Sequence, residues 1–404
     1  MQNSRLLATL GRRIEESGLP LAVRLWNGAS AGAPQPQVTI TVRHPLALAA
    51  LGRPTAGELA ARYVEQQIDV DGPIRDVVGL GTALAGATDD SAPPPTRRLA
   101  RWVRHTRLFD SKAIRSHYDI GDDFFGLWLD PRRVYSCAYY RRADDTLEIA
   151  QAQKLDHICR KLRLAAGERF LDVGCGWGAL VLWAAERYGA QAFGVTLSRN
   201  QHDYAQARIR ELGLEGRCEV RLLDYRDVPE ERSFDKIASI GMFEHVGRDN
   251  LAAYFGKIAR LLRPGGLLLN HGITHNAPGQ RELGGDISEF IDRYVFPGGE
   301  LAHISVVMEA LSAQGLESWD VESLRPHYAK TLWHWVERLD ANRAAAVAAV
   351  GERLYRIWRI YMAGSAHGFE SGSMSVYQVL AGKPLAGGAL EVPGTRDDIY
   401  ARQA

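Results

Sequence analysis

The sequence predicts an α/β protein with a Rossmann-like, doubly wound parallel sheet, preceded by a small α+β unit. Three observations predict this architecture. From about residue 165, short apolar runs alternate regularly with amphipathic segments, as in βαβ units. The first of these runs ends in a glycine-rich loop. A stretch of small, acidic and proline residues at 86–95 separates this region from the N-terminal part of the chain.

Length and composition narrow the classes of protein. The 404 residues give room for two or three domains, and 46% of them are hydrophobic. Because 49 basic residues nearly balance 48 acidic ones, the overall charge does not favour a nucleic acid as partner. No apolar run reaches the roughly 20 residues of a membrane-spanning helix. The cysteines form no C-x-x-C pair, so we expect reduced thiols in a cytosol and no metal site. They are Cys137, Cys159, Cys175 and Cys218.

Residues 1–85 are predicted to form the small α+β unit. Apolar residues recur at helical spacing over 6–14, and residues 38–42 alternate as in a half-buried strand. Thr55 and Glu58 form a capping-box pattern that opens a helix. Because the unit contains no nucleophile with a base and no phosphate loop, we expect it to bind or position a ligand.

A basic amphipathic segment lies in the predicted linker, 86–110. Residues 97–109 contain five arginines and no acidic residue. Such a segment can lie on anionic lipid, where each cation contributes about 1 kcal/mol. The alternative is a solvated helix whose apolar residues, such as Trp102, face the main domain, since charge runs are usually solvated faces.

The main domain is predicted over 111–383, followed by a flexible tail over 384–404. In a parallel sheet, ligands bind beyond the carboxyl ends of the strands, so site residues are expected there. Long helices over 332–370 carry an aromatic stripe that is more typical of a core than of a lipid channel. The predicted strands are 169–173, 192–196, 219–224, 236–240 and 267–271.

The glycine-rich loop consists of Asp172, Gly174, Gly176 and Gly178, with Trp177 before the last glycine. Glycines here let the backbone turn tightly and approach a ligand. The G-x-G-x-G spacing differs by one residue from the G-x-G-x-x-G of dinucleotide folds, which are the alternative. In this form the loop resembles motif I of the S-adenosylmethionine-dependent methyltransferases. That resemblance implies that the glycines admit the adenosine and methionine parts of the cofactor.

The neighbouring strands extend this resemblance. Asp224 ends the third strand where these methyltransferases often hold the adenine amine, and Tyr225 is expected to cover the adenine face. The second strand lacks the acid that commonly binds the ribose. Its hydroxyls are therefore left to Thr196, Ser198 and Gln201, through neutral hydrogen bonds. The remaining residues expected to bind the cofactor are Tyr135, Ser136 and Leu197.

Besides the glycine loop, residues 111–380 contain five further strings: HYDIGDDFF at 117–125, YSCAYY at 135–140, VTLSRNQ at 195–201, GMFEHVG at 241–247 and RPHYAKTL at 325–332. In these strings the segment resembles the cyclopropane fatty acid synthases, a family that includes the mycolic acid cyclopropane synthases. This resemblance implies transfer of a methyl group from S-adenosylmethionine to the cis double bond of an unsaturated phospholipid acyl chain, with closure of a cyclopropane ring. It also implies a cytoplasmic enzyme that lies peripherally on the inner face of the membrane.

The resemblance also implies a set of catalytic residues. An isolated alkene is a weak nucleophile, so it needs a strongly electrophilic methyl group, and methyl attack leaves a carbocation. In this family, the base that then removes a proton is taken to be bound bicarbonate. The matching positions are Cys137, Glu244, His271, Ile273 through its backbone, and Tyr328. Direct general-base action by Glu244 is the alternative, and out of context Cys137 is more typical of a buried core residue.

Aromatic faces stabilise positive charge, so the carbocation site is expected to be lined by aromatic side chains. Candidates are Tyr135, Tyr139, Phe243 and Tyr328. One position departs from the family pattern: Gly272 stands where a larger residue such as Thr is expected. The glycine predicts a looser turn or a wider pocket.

Several alternatives stay open at this point. The product can be a branched methyl, methylene or hydroxylated acyl chain, the substrate can be a soluble small molecule, or the domain can be an inactive lipid-binding scaffold. The expected partners are acyl chains at the membrane surface and anionic head groups, with homodimer formation left open.

Overall fold

The computed structural model describes residues 2–52, 54–86, 121–276, 285–296 and 300–400. These residues form two compact units. The predicted linker from residue 87 onward, its arginine segment and residues 117–120 of the first family string lie outside the described residues. The first unit comprises the N-terminal residues together with 282–297 and 335–368, and the second comprises the rest of the chain.

The N-terminal unit contains a four-stranded sheet in the order β2-β1-β3-β4. Strand β1 pairs antiparallel with β2 and parallel with β3, and β3 pairs antiparallel with β4. Its N-terminal elements are α1 (Gln2–Ser17), β1 (Leu21–Leu25), β2 (Ser30–Gly32), β3 (Val38–Val42), α2 (Pro45–Ala50), α3 (Ala56–Val64), β4 (Ile68–Asp71) and α4 (Ile74–Gly86).

The helix face, the helix cap and the strand pattern predicted for this unit are present in the structure. Helix α1 buries the side chains of Leu10 and Ile14, which lie on its predicted apolar face. Thr55 Oγ1 accepts a hydrogen bond from the backbone N–H of Glu58 at 3.3 Å, so the cap opens α3 where the sequence predicted it. Strand β3 alternates buried and half-buried residues, as its sequence pattern requires.

The remaining elements follow in chain order. Helix α13 is interrupted at Gly351, whose φ is 80°. The elements are α5 (Asp122–Gly126), α6 (Leu147–Lys161), β5 (Arg169–Val173), α7 (Ala179–Tyr188), β6 (Gln191–Thr196), α8 (Arg199–Glu211), β7 (Cys218–Leu222), β8 (Phe234–Ile240), α9 (Leu251–Leu261), β9 (Leu262–His275), α10 (Gly285–Tyr294), α11 (Ile304–Ser312), β10 (Glu317–Ser323), α12 (Arg325–Ala341), α13 (Arg343–Ser371), β11 (Met374–Gly382) and α14 (Asp397–Tyr400).

The second unit is built on a seven-stranded sheet in the order β10-β11-β9-β8-β5-β6-β7. Strands β9, β8, β5, β6 and β7 are parallel and correspond to the five predicted strands. Strand β11 runs antiparallel to both β9 and β10. The sequence predicted neither β10 nor β11. The sheet is therefore mixed, with an antiparallel addition at one edge.

Helices cover both faces of this sheet. On β5, Phe170 belongs to a buried cluster with residues of α6, α7 and α8, such as Ile158. The next residue, Leu171, belongs to a separate cluster with α9 and α11, such as Phe255. Because neighbouring side chains of a strand point to opposite faces, this alternation confirms the doubly wound architecture.

Two segments within the predicted main domain belong to the first unit. Phe290 of α10 and Ile357 of α13 share a buried cluster with Val64 of α3. Arg356 Nη2 donates a hydrogen bond to Asp69 Oδ1 at 2.7 Å, a partly buried ion pair that adds to this packing. The domain boundary predicted at residue 111 therefore does not separate the two units, because two later segments of the chain belong to the first unit.

The predicted flexible tail is wrong for the described residues after 383. Leu390 and Val392 pack against the core of the second unit, and Ile399 in α14 is buried. Arg396 forms an ion pair with Asp320, whose side chain is largely buried. Glycine, proline and charge suggested a loose segment, but three apolar side chains with a core to cover are enough to anchor it.

Candidate active site

The glycine-rich loop follows β5 at the carboxyl edge of the parallel strands. Gly174, Gly176 and Gly178 have φ values of 78°, 54° and 87°, a left-handed conformation that other residues adopt only with strain. A Cβ at Gly178 would lie 3.0 Å from Ala205, so this glycine allows close packing of the loop on α8. A Cβ at Gly176 would meet nothing within 4 Å, because Gly176 faces a cavity.

This cavity lies at the ends of β5, β6 and β8, as expected for a ligand site in such a sheet. Most of the predicted cofactor-binding residues line it, but Gly178, Ser198 and Asp224 do not. Those that line it are Tyr135, Ser136, Asp172, Gly174, Gly176, Trp177, Thr196, Leu197, Gln201 and Tyr225.

One wall of the cavity is aromatic. The Trp177 ring lies 5.0 Å from that of Phe125, which in turn lies 6.0 Å from Tyr135. Trp177 Nε1 donates a hydrogen bond to Asp122 Oδ1 at 2.9 Å. The string at 117–125 therefore supports the glycine loop through Phe125 and Asp122.

The polar residues after β6 hold one another in place. Thr196 Oγ1 lies 2.8 Å from Gln201 Oε1, and Ser198 Oγ accepts a hydrogen bond from the Gln201 backbone N–H. Ser198 is thereby the N-cap of α8 rather than a lining residue. Thr196 and Gln201 both line the cavity, so they are the two of this group that can reach ribose hydroxyls directly.

Asp224 and Tyr225 are oriented differently. Both carboxylate oxygens of Asp224 accept hydrogen bonds from the Arg226 side chain, at 2.8 and 2.6 Å, and Oδ1 also caps the short turn that follows. Tyr225 lines the cavity, and its ring packs edge-on against Tyr254. In this structure Asp224 is thus committed to an ion pair beside the cavity.

Two opposite charges lie in the same cavity wall. Asp172 is fully buried, and desolvation raises the pKa of its carboxyl group to about 7. Lys154 on α6 is also fully buried, and desolvation lowers the pKa of its ammonium group to about 8. The sequence analysis missed Lys154. Its signal was a lysine on the apolar face of an amphipathic helix, at helical spacing from Ala150, Gln151 and Ile158.

A second cluster surrounds Glu244, in the short turn after β8. Glu244 Oε1 accepts a hydrogen bond from the backbone N–H of Ile273 at 2.7 Å. Its other oxygen, Oε2, is buried and has no hydrogen-bond partner among the described residues. Burial raises the pKa of Glu244 to about 7. A carboxylate in this state can take up a proton near neutral pH.

His271 lies two residues before Ile273, on the same face of β9. Its ring is fully buried, and desolvation lowers its pKa to about 3, so the imidazole is neutral. His271 Nδ1 lies 3.2 Å from Gln378 Nε2 on the paired strand β11. When the Gln378 amide N–H donates to Nδ1, the neutral imidazole carries its proton on Nε2, from which it can be donated. Gln378 was not predicted, because β11 itself was not.

Cys137 and Tyr328 meet around Leu324. The Cys137 thiol is fully buried, burial raises its pKa, and its Sγ lies 3.8 Å from the Leu324 carbonyl oxygen. Tyr328 lies one helical turn beyond Leu324, with its ring 4.8 Å from Phe369. The Leu324 N–H in turn donates a hydrogen bond to the carbonyl oxygen of Val376 on β11. Val376 pairs with Ile273 of β9. The two pairs of catalytic candidates are therefore linked through β11.

Two expectations about pocket shape are wrong. Tyr139 stacks between His157 and His327, with ring centroids at 4.2 and 4.9 Å, so both its faces are covered. Gly272 lies within β9, and a Cβ there would lie 1.9 Å from Phe243 Cε1. The Phe243 ring thus occupies the space that a side chain at residue 272 would take, and the pocket is not widened.

The cavity fits S-adenosylmethionine by its chemistry. Gly176 leaves room for the ligand against the backbone, and Thr196 and Gln201 present groups that can bond hydroxyls. The Oδ1 atom of Asp172 is buried without a hydrogen-bond partner among the described residues, as expected of an acceptor for a ligand ammonium.

Among the described residues, no group of three His, Cys, Asp or Glu side chains is arranged to hold a metal ion. Over the same residues, no helix has the length and apolarity needed to cross a membrane.

Comparison with known proteins places this chain in a family. The family model described as mycolic acid cyclopropane synthetase matches residues 105–379. A protein named probable fatty acid methyltransferase from Pseudomonas putida is 46% identical over 398 residues, covering 98% of this chain and all of that protein. Cyclopropane mycolic acid synthase 1 from Mycobacterium tuberculosis is 41% identical over 273 residues, covering 66% of this chain and 94% of that protein.

A solved structure agrees with these relatives. Mycolic acid cyclopropane synthase CmaA1, crystallised with SAH and CTAB, is 39% identical with a TM-score of 0.64, covering 68% of this chain and 98% of that one. The chain therefore belongs to the mycolic acid cyclopropane synthetase family, whose members are S-adenosylmethionine-dependent transferases that act on lipid acyl chains.

Proposed function

We propose that this protein transfers a methyl group from S-adenosylmethionine to the cis double bond of an unsaturated phospholipid acyl chain and closes a cyclopropane ring. The observation that carries this proposal is Glu244, a buried carboxyl group with an unpartnered oxygen. Its neighbours Met242 and His245 line the cofactor cavity. These positions support Glu244 as a proton acceptor beside the place where the methyl group would be delivered.

The chemistry requires such an acceptor. When bound, S-adenosylmethionine would supply an electrophilic methyl group, and its carbon–sulfur bond would break to leave S-adenosylhomocysteine. Once a carbon–carbon bond has formed between that methyl and one alkene carbon, the other alkene carbon carries positive charge. Ring closure then needs a proton to leave the new methyl group. Glu244 is suited to receive that proton because burial keeps its pKa near neutral pH.

The route of the proton has two versions. In the first, bicarbonate accepts it and is held by the five positions named above: Cys137, Glu244, His271, the Ile273 backbone and Tyr328. In the second, Glu244 accepts it directly. The Ile273 N–H, which the resemblance assigned to bicarbonate, already donates to Glu244, and this favours direct action. Depletion of bicarbonate from the assay separates them: an unchanged rate supports Glu244 alone, and a lost rate restored by bicarbonate supports the anion.

Product analysis tests the reaction itself. We expect lipid extracts from cells that express the chain to contain phospholipids with one additional CH2 group and one fewer double bond. Mass spectrometry of intact and cleaved acyl chains measures both. Added carbon with the double bond retained indicates a methylene-branched product, and added carbon with oxygen indicates a hydroxylated one. Methylation of a soluble compound but not of phospholipid vesicles would contradict the proposed substrate.

We propose further that residues 97–109 bring the enzyme to anionic head groups. Replacing Arg97, Arg98, Arg101, Arg104 and Arg107 with glutamine is expected to weaken sedimentation with anionic vesicles at low salt. Replacing five exposed arginines of the second unit, Arg187, Arg199, Arg210, Arg217 and Arg260, with glutamine serves as the control. If the variant with all five substitutions binds vesicles like the unmodified protein, residues 97–109 do not bring the enzyme to anionic head groups.

A further inference from the structure

Lys154 has unused hydrogen-bonding capacity in the wall of the cofactor cavity. Its side chain is 2% exposed, and its Nζ donates one hydrogen bond among the described residues, to Ser136 Oγ at 2.9 Å. An ammonium group carries three N–H donors. Burying it with so few partners is unfavourable unless a ligand completes the set.

Asp172 is its counterpart of opposite charge. It lines the same cavity, is equally buried, and its Oδ1 has no hydrogen-bond partner among the described residues. Among those residues the two side chains form no ion pair with one another, although each charge shifts the pKa of the other. The cavity therefore presents a separated cation and anion rather than a closed salt bridge.

The methionyl end of S-adenosylmethionine has matching groups, a carboxylate and an ammonium. We propose that Lys154, next to Ser136 Oγ, binds the carboxylate of the cofactor's methionyl part, while Asp172 accepts from its ammonium group. This inference deepens the cofactor part of the proposed function and rests on it. The bond to the carboxylate is charge-assisted, and such bonds are roughly twice as strong as neutral ones.

The competing role for Lys154 is purely electrostatic. In that case its charge offsets the buried Asp172 and fixes Ser136, and it touches no ligand. The two roles differ in one respect: a contact with the carboxylate matters only for ligands that carry a carboxylate. A supporting role, which acts through Asp172, affects ligands that carry the ammonium group whether or not they carry the carboxylate.

The test is therefore a comparison of ligands by calorimetry, without lipid. Lys154→Met removes the ammonium and keeps much of the side-chain volume. We expect Lys154→Met to bind S-adenosylhomocysteine with an affinity about 10- to 100-fold below that of the unmodified protein, the usual effect of losing a hydrogen bond to a charged group. For 5′-methylthioadenosine, which lacks the methionyl end, we expect no change beyond about twofold.

A third ligand separates carboxylate from ammonium. Decarboxylated S-adenosylhomocysteine keeps the amine, so Lys154→Met should not weaken its binding. Equal weakening for S-adenosylhomocysteine and its decarboxylated form, or none for S-adenosylhomocysteine, would overturn the inference. If the methionine variant does not fold, Lys154→Gln is compared in the same way. Failure of the unmodified protein to bind any of the three would instead count against the proposed function.

Lys257→Met is the matched control. Lys257 is also a largely buried lysine of the second unit, and its Nζ donates to the Val228 carbonyl oxygen at 2.7 Å. It does not line the cavity. We expect this variant to lose stability in a thermal melt but to keep the affinity ratio between S-adenosylhomocysteine and 5′-methylthioadenosine. A changed ratio in the control would show that the ratio does not report on contact.

Discussion

Glu244→Gln is expected to reduce turnover on unsaturated phospholipid by about 10²- to 10⁴-fold, the usual contribution of a positioned base. The amide cannot take up the proton. It can still accept the hydrogen bond from the Ile273 N–H, so the turn after β8 should keep its structure. Glu244 does not line the cofactor cavity, and binding of S-adenosylhomocysteine should be unchanged. Steady-state kinetics and calorimetry measure the two effects.

The pH profile gives a second readout of the same residue. Since burial raises the pKa of Glu244 to about 7, the ionised form that accepts a proton accumulates as the pH rises through that value. Turnover of the unmodified enzyme should rise over the same range, and the glutamine variant should lack this limb. Glu230→Gln, an exposed site, is the control. Near-normal turnover of Glu244→Gln would place the base elsewhere.

Gly272→Ala is expected to lower the free energy of unfolding by about 1–3 kcal/mol, the usual effect of overpacking a core. The new Cβ would lie 1.9 Å from Phe243 Cε1, so the ring has to move. Phe243 precedes Glu244 in the same turn, and its displacement should also lower turnover. Urea denaturation measures the first effect and steady-state kinetics the second.

Two further variants make this prediction specific. Gly364→Ala is the control, because a Cβ at this helical glycine would meet nothing within 4 Å. There alanine should be neutral or stabilising. Combining Gly272→Ala with Phe243→Leu should recover part of the lost stability, since a smaller side chain leaves room for the methyl group. If Gly272→Ala has the same midpoint of urea unfolding as the unmodified protein, the steric argument is contradicted.

Much of the fold and cofactor cavity could be predicted because the signals are local. A capping pattern such as Thr55 with Glu58 acts within one turn, and the glycines of the loop require a backbone conformation at their own positions. Motif residues such as Thr196 and Gln201 lie at a strand end and the helix start that follows it. The parallel topology then brings these ends to one edge.

What could not be predicted depends on pairing between distant segments. Strand β11 is buried because it lies between β9 and β10. Its own sequence does not identify these pairing partners. Gln378 reaches His271 only through this pairing. Likewise, Gly272 was interpreted as open space because the sequence does not reveal that the Phe243 ring fills it.

The placement of β11 also has a consequence for how the enzyme becomes competent. Its pairing with β9 joins His271 to Gln378, which are 107 residues apart in the chain. Closing such a long loop is entropically costly, and contacts of this range form slowly. During synthesis, the parallel strands β5–β9 emerge and can pair well before β11 leaves the ribosome. We therefore expect nascent chains to acquire affinity for the cofactor first and proton-transfer capacity only when the last strand is inserted.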